Sequence, residues 1–447
     1  MTPDNSVFLV LSFEGPDKYS MAGGLGMRVT QLSHALAKKG FPTHLLFVGD
    51  PHMPARDYRM GGRLLLHRWC QWVSQYYPTG VYEGEEAKLY DFNESLPHFI
   101  LEQIARPAFS AGKLLVVLGE EWHTAELMCR LSDLLHDEGL RNRAVLFWNA
   151  NNTMSFHRIN WGRLAFTNTI TTVSKYMKHL MWDLGVNAHV IPNGIPSAVL
   201  QKVDEGDVAR VRNCLKKDLI LCKVARWDPD KGWNAALEAT AALKRAGLKV
   251  VLLARGGIEP HGQEVLHNAS RLGLRVSDAW AGAEGREACL SAIARAADSD
   301  VVNIRSHLDL DSLRVLYRAS HAVLANSGRE PFGLVGLEAM ASGGVAFTGA
   351  TGEDYAIHKR NCVVHETGGS WEIVSNLLYL QDHPEEAERM RRAARHSARL
   401  FTWEKVVENL VSKVEQHARN QGSLTGIARA EPKALETRVL VAAGRAA

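Results

Sequence analysis

Ser327–Gly344, SGREPFGLVGLEAMASGG, decides how the rest of the chain is read. An apolar run, Ala322-Val323-Leu324-Ala325, precedes it and reads as a buried parallel strand. Gly328 and Pro331 end that strand, and the spacing then predicts a helix over 333–342, closed by Gly343-Gly344. A second apolar run at 345–348 completes a strand–helix–strand unit. Two carboxylates stand eight residues apart, Glu330 in the loop and Glu338 inside the helix. The helix start offers backbone N–H groups at Phe332, Gly333 and Leu334, which suit an anion. A glutamate beside such a site suits a ligand with hydroxyls as well as phosphates, because a carboxylate accepts hydrogen bonds from hydroxyls and gains nothing from phosphate. Gly333 and Gly336 leave room for close approach to the backbone. Taken alone, the pair also fits an ordinary helix with one solvated Glu and one Glu favoured by the dipole.

A second charged pattern lies upstream. Residues 219–225 read as a strand, followed by Arg226-Trp227-Asp228-Pro229-Asp230-Lys231-Gly232 and a helix to about Gly247. R-x4-K-G sets two cations at a strand's carboxyl end beside a helix start. An Arg fork and a Lys point charge suit a diphosphate. A surface ion pair is the plain alternative for either residue alone. Residues 301–305 form a further strand ending at Arg305, and Gly349-Ala350-Thr351-Gly352 is a loop expected near the same cleft.

The first half begins with a strand at 7–12, a loop Ala22-Gly23-Gly24-Leu25-Gly26, and a helix with Val29, Leu32, Ala35 and Leu36 on its apolar face. With the strand at 43–48 this is a βαβ unit carrying glycines at its first turn. GGLG by itself is weak, since glycines also serve turns that hold no ligand. Strand 114–118 runs into Gly119-Glu120-Glu121-Trp122-His123, at a carboxyl end where functional residues of open α/β sheets gather. A lone histidine at a helix start is more often structural. Tyr58 to Tyr90 is rich in rings, including Trp69, Trp72, Tyr76, Tyr77 and Tyr82; these fit sugar stacking or packing beneath an insertion. His157 and Arg158 fit an acceptor wall or a solvated loop. V-I-P-N-G-I at 190–195 ends the half, and the polar stretch 196–216 reads as a linker with a short helix.

The chain of 447 residues has room for two large domains, and 46% hydrophobic with 23% charged residues is ordinary for a globular protein. A net charge of +3 gives no case for nucleic acid. Six scattered cysteines lack metal-ligand spacing and read as reduced thiols. The N-terminus reads as a first strand, not a signal peptide, and no window approaches the roughly 18 apolar residues of a spanning helix. A cytoplasmic location is the expectation.

E-P-F-G-L-V-G-L-E-A-M-A-S-G resembles the E-x7-E signature of retaining GT-B glycosyltransferases, most closely family 4, related to glycogen and sucrose synthases. GGLG, R-x4-K-G and E-x7-E fall in that family's order, and the resemblance covers roughly residues 7–418. It implies an α/β fold of two Rossmann-like doubly wound domains facing across a cleft. The expected division is an acceptor-side domain at 1–196, a nucleotide-sugar domain at 197–398, a crossover helix at 399–419 and a fraying tail at 420–447. It further implies retaining transfer of a hexose, glucose by analogy, from a nucleoside diphosphate sugar to a carbohydrate or small hydroxylated acceptor.

Carried onto this chain, Glu338 holds the ribose hydroxyls and Glu330 contacts the transferred sugar. Arg226 and Lys231 neutralise the diphosphate, helped by Phe332, Gly333 and Leu334. Gly24 and Gly26 approach the distal phosphate, His123 reaches the donor sugar, and the backbone near Arg305 meets the base. No metal and no cofactor beyond the co-substrate is implied. One departure stands out: relatives in the starch-synthase branch carry a lysine two residues before the paired glycines, where this chain has Met21, with Lys18 further upstream. That argues against a plain glycogen or starch synthase. A GT-B disaccharide phosphorylase and a non-catalytic nucleotide-sugar-binding protein are the competing readings. The base, acceptor, oligomeric state and front-face versus double-displacement chemistry stay open at this level.

Overall fold

The structure is a computed structural model that describes residues 1–283 and 285–424. The first sheet contains β1 (Ser6–Leu11), β2 (Thr43–Val48), β3 (Arg56–Arg59), β4 (Leu64–Trp69), β5 (Leu114–Glu120), β6 (Ala144–Ala150), β7 (Thr169–Thr172) and β8 (His189–Val190). The second contains β9 (Leu219–Val224), β10 (Val250–Arg255), β11 (Val276–Ala279), β12 (Val301–Ile304), β13 (Ala322–Ala325), β14 (Ala346–Gly349) and β15 (Val363–His365). Their orders are β3-β4-β2-β1-β5-β6-β7-β8 and β11-β12-β10-β9-β13-β14-β15. Every pairing is parallel except β3 with β4. The strands nearest the centre, such as β1 (SVFLVL), are buried along their whole length, as a sheet covered by helices on both faces requires. This is the GT-B architecture of two Rossmann-like units.

The winding is the same in both halves. In the first sheet β1 lies between β2 and β5, with Leu9 opposite both His44 and Val117. In the second, β9 lies between β10 and β13, with Cys222 opposite Leu253 and Val323. Each central strand marks where the chain reverses its direction of winding, and a crevice opens at the carboxyl ends there. The edge strand β3 and its neighbour β4 overlap the ring-rich stretch, which periodicity left unassigned. β3 is mostly exposed and pairs by a short antiparallel register, so it carries little apolar alternation.

The chain passes between the two sheets twice, side by side. Ile195 N–H donates to the Phe401 carbonyl at 2.8 Å, and Trp403 N–H to the Ile195 carbonyl at 3.1 Å. The last helix among the described residues, Trp403–Asn420, is capped by the Thr402 side chain and lays Trp403, Val406, Val407, Leu410 and Val414 into the core formed by Phe8, Val29, Leu36 and Phe147. Most of the expected tail, 425–447, lies outside the described residues.

The helix at the centre of the sequence argument runs Leu334–Ala341, with Gly333 as its N-cap at φ +77°. It therefore starts one residue later than expected. The Phe332 ring is buried against Tyr355 and Phe401, at 5.6 and 6.1 Å between centroids, which leaves its backbone N–H as the group assigned to the site. Gly336 is likewise a packing residue. A Cβ there would stand 2.7 Å from the Tyr355 hydroxyl and 2.9 Å from Thr348, so the protein itself fills the space expected for a ligand.

Candidate active site

The crevice beyond β9 and β13 gathers most of the charged residues singled out above. Residues 226–232 leave β9 as a loop tightened by the short turn Pro229–Lys231, where the Asp228 side chain accepts the Asp230 N–H at 2.9 Å. Two bonds pin this loop to the segment after β13. Gly328 N–H donates to the Asp230 carbonyl at 3.1 Å, and Asn326 Nδ2 to the Gly232 carbonyl at 3.1 Å. Gly232 sits at φ +65°, and a Cβ there would lie 2.5 Å from the Asn326 carbonyl oxygen, so the docking demands glycine.

So presented, Lys231 Nζ meets Glu330 Oε1 at 2.6 Å, with side chains only 18% and 25% exposed. Arg226 projects beside them, 69% exposed, its nearest carboxylate being Asp228 at 4.0 Å. The site thus holds one shielded ion pair and one cation reaching into solvent. An anion entering here can share Lys231 and engage Arg226 as a planar fork.

Glu338 lies a turn into the helix, half-buried, and desolvation pushes its carboxyl up to about 7. Tyr355 donates its hydroxyl to the Gly333 carbonyl and so fixes the helix entry. Arg305 lies to one side, in a groove of about 450 Å³ at the ends of β10 and β12. Trp227, Gly256, Ile258, Asn303 and Asp278 share that groove, and Arg305 pairs with Asp278 at 3.2 Å. Trp227 follows Arg226 directly, so groove and cation pair adjoin.

The crevice of the first sheet is built differently. The glycine loop folds around Glu14, whose Oε2 accepts N–H bonds from Ala22 (3.2 Å), Gly23 (2.9 Å) and Gly26 (3.0 Å). Its Oε1 accepts the Tyr82 hydroxyl at 2.6 Å. Gly26 therefore spends its N–H on the protein's own carboxylate, while Gly24 is exposed at the helix start. Glu120, at the end of β5, receives Arg28 at 3.2 and 3.0 Å and the side chains of Asn149 and Asn151. Glu121 is held at φ +69° with its Oε1 taking the N–H groups of Asn151 and Asn152; burial, then the neighbouring Glu120 charge, pushes its carboxyl up to about 8.

His123 is 4% exposed, stacked between Phe13 and Trp122 at centroid distances of 4.3 and 3.9 Å. Its Nε2 bonds Glu85 Oε1 at 2.8 Å, and its Nδ1 is buried with no partner. Burial lowers its basicity against the opposing pull of Glu85. The ring-rich stretch divides: Tyr82 reaches Glu14, Trp69 and Tyr77 pack inward, and Tyr58, Trp72, Tyr76 and Tyr90 are exposed.

Arg226, Lys231, Glu330, Gly333, Leu334 and Glu338 thus share one crevice, Arg305 adjoins it, and Gly24, Gly26 and His123 belong to the other. Asn326, Glu14 and Glu85 were not singled out from sequence, because no motif or local periodicity marks them; Tyr82 was read only as one of the sugar-stacking or packing rings, and its hydroxyl instead reaches Glu14. Among the described residues no group of three or more His, Cys, Asp or Glu side chains is placed to hold a metal ion, and no helix is long and apolar enough to cross a membrane.

Residues 207–397, within the second half, match the family model of Glycosyl transferases group 1. A D-inositol 3-phosphate glycosyltransferase from Actinosynnema mirum is 29% identical over 238 residues. That match spans 51% of this chain and 51% of the relative, so the chain aligns with about half the relative's length. Among solved structures, sucrose-phosphate synthase from Thermosynechococcus elongatus superposes with a TM-score of 0.67 at 18% identity, covering 93% of this chain and all of that one. The catalytic domain of starch synthase IV from Arabidopsis thaliana, bound to ADP and acarbose, gives 0.67 at 15% identity, covering 94% of this chain and all of that one. At such identities the structural likeness concerns the fold.

Proposed function

We propose that the chain is a retaining, metal-independent glycosyltransferase of family 4 type that moves a hexose, glucose by analogy, from a nucleoside diphosphate sugar to a carbohydrate or small hydroxylated acceptor. The Lys231–Glu330 pair at the switch point of the second sheet, with Arg226 open beside it, is the observation that carries this reading. In the reaction the bond from the anomeric carbon to the diphosphate oxygen breaks, and a bond to the acceptor oxygen forms on the same face. The acceptor's proton passes to the departing phosphate. Negative charge grows on the leaving group, and Arg226 and Lys231 stabilise it where it develops. Once Lys231 turns to phosphate, Glu330 is available to accept hydrogen bonds from sugar hydroxyls, and Glu338 takes those of the ribose. Trp227, Asn303 and Arg305 then border the base. The acceptor enters from the first sheet's side, where His123 is assigned to the donor sugar and Gly24 and Gly26 to its distal phosphate.

Nucleotide release from ADP-, UDP- and GDP-sugars, with pooled acceptors and Glu330→Gln as control, tests the reading. Release from one donor, accelerated by one acceptor and lost in the control, is the expected result. Sugar phosphate formed from disaccharide and inorganic phosphate, with no release from any donor, would overturn it in favour of a phosphorylase.

A further inference from the structure

A lysine lies inside the second sheet, where apolar side chains otherwise prevail. Lys223 sits in β9 between Cys222 and Val224 and is 0% exposed. Its ammonium donates to Asn326 Oδ1 at 2.6 Å and to the Leu324 carbonyl at 3.2 Å, and lies 5.2 Å from the centre of the Trp233 ring. Among the described residues no carboxylate lies within ion-pair distance of it. Carbonyl oxygens and a ring face favour a cation without neutralising it. A core position filled this way is costly unless the charge has a use.

The use is visible in what Asn326 does with its other atoms. While its Oδ1 accepts from Lys223, its Nδ2 donates to the Gly232 carbonyl. Gly232 directly follows Lys231, whose ammonium meets Glu330 at 2.6 Å. A continuous path therefore runs from the buried ammonium through Asn326 to the turn that presents Lys231.

We infer that Lys223 is a positioning residue of the donor site, a buried cation that fixes the Lys231 turn through Asn326 and is held in its charged form by the incoming diphosphate. This rests on the donor-site reading above. The charged groups around it are few. Glu330 favours its charge and Lys231 opposes it, while burial dominates and pulls the amine down to about 7. Cys222 stays a thiol, its acidity suppressed by burial, and His365 at the end of β15 is buried with its basicity lowered to about 4, hence neutral. Lys223 is thus poised between forms. A diphosphate beside Lys231 adds negative charge and favours the ammonium, so by linkage nucleotide binds best below about pH 7 and more weakly as pH rises through it.

The experiment is calorimetric titration of ADP, UDP and GDP between pH 6 and 9 into wild type, Lys223→Met and Asn326→Asp. With the nucleotide that binds, wild type should weaken about tenfold across this range beyond any trend shared by all three proteins. Lys223→Met should lose that step, binding more weakly than wild type at pH 6 and equally at pH 9. Asn326→Asp sets a carboxylate against the ammonium and should move the step to higher pH. A step retained in Lys223→Met overturns the inference. Should that variant fail to fold, as circular dichroism would show, Asn326→Asp decides alone: a shifted step supports the inference and an unmoved one overturns it. Wild type binding no nucleotide would sink the donor-site reading and this inference together, whereas binding with an unmoved step sinks only the latter.

Discussion

The two crevices occupy the same place in two sheets of the same strand order, yet they are furnished in opposite ways. Beyond β1 and β5 the protein spends its own carboxylates on its own donors: Glu14 on the glycine loop, Glu120 on Arg28, Glu121 on the 151–152 backbone. Beyond β9 and β13 the cations face the opening, with Glu330 as the paired carboxylate. Topology supplies a location, and side chains decide whether it becomes a wall or a receptor. The first crevice is therefore expected to weigh more on stability than the second, and the second more on turnover.

Variants can break that division. The largest effect should come from Lys231→Ala, which removes a charge that stabilises the leaving group. Turnover should fall about 10²–10³-fold, a larger effect than the loss of the shielded Lys231–Glu330 pair has on the urea midpoint. An equal loss in stability would erase the contrast. Glu14→Ala should behave conversely. It strips three backbone N–H groups and the Tyr82 hydroxyl of their acceptor, lowering unfolding free energy by about 2–4 kcal/mol. Unchanged stability in that variant would mean that the glycine loop is satisfied some other way.

A smaller effect sharpens the comparison through pH. Glu121 titrates near 8 in the folded protein and in the ordinary carboxylate range when unfolded. Between those values the folded state binds the extra proton, so stability falls as pH rises through the window and levels off above about 8. Glu121→Gln keeps an oxygen for the two N–H groups and has no proton to lose. Its advantage over wild type should grow across the window to on the order of 1–3 kcal/mol, read from urea unfolding at pH 5 and pH 8.5. A constant difference at both values would show that Glu121 does not titrate there.

How far the sequence disclosed all this follows from how far apart the partners stand. Arg226, Lys231 and Glu330 sit in the loops that leave β9 and β13, and Glu338 in the helix that follows β13, so local spacing placed them in the crevice. The helix start was off by one because Gly333 takes a left-handed conformation and caps the helix instead of opening it. The packing role of Gly336 and the burial of the Phe332 ring could not be foreseen, since their neighbours, Tyr355, Thr348 and Phe401, come from later segments. Glu85 lies 38 residues from His123, and Tyr82 lies 68 from Glu14, separations at which no periodicity operates. Lys223 did leave a trace, a charged residue in the run Leu219-Ile220-Leu221-Cys222-Lys223-Val224, where a strand buried on both faces should be apolar throughout.

The last helix has a consequence for biosynthesis. Phe8, Val29, Leu36 and Phe147 are made early, but the face they form is covered by Trp403, Val406, Leu410 and Val414, which leave the ribosome hundreds of residues later. The second sheet, whose strands all lie between Leu219 and His365, can close without waiting for them. Of the two sheets, the one translated earlier is thus the later to be sealed, and in the interval its apolar flank is open to chaperones.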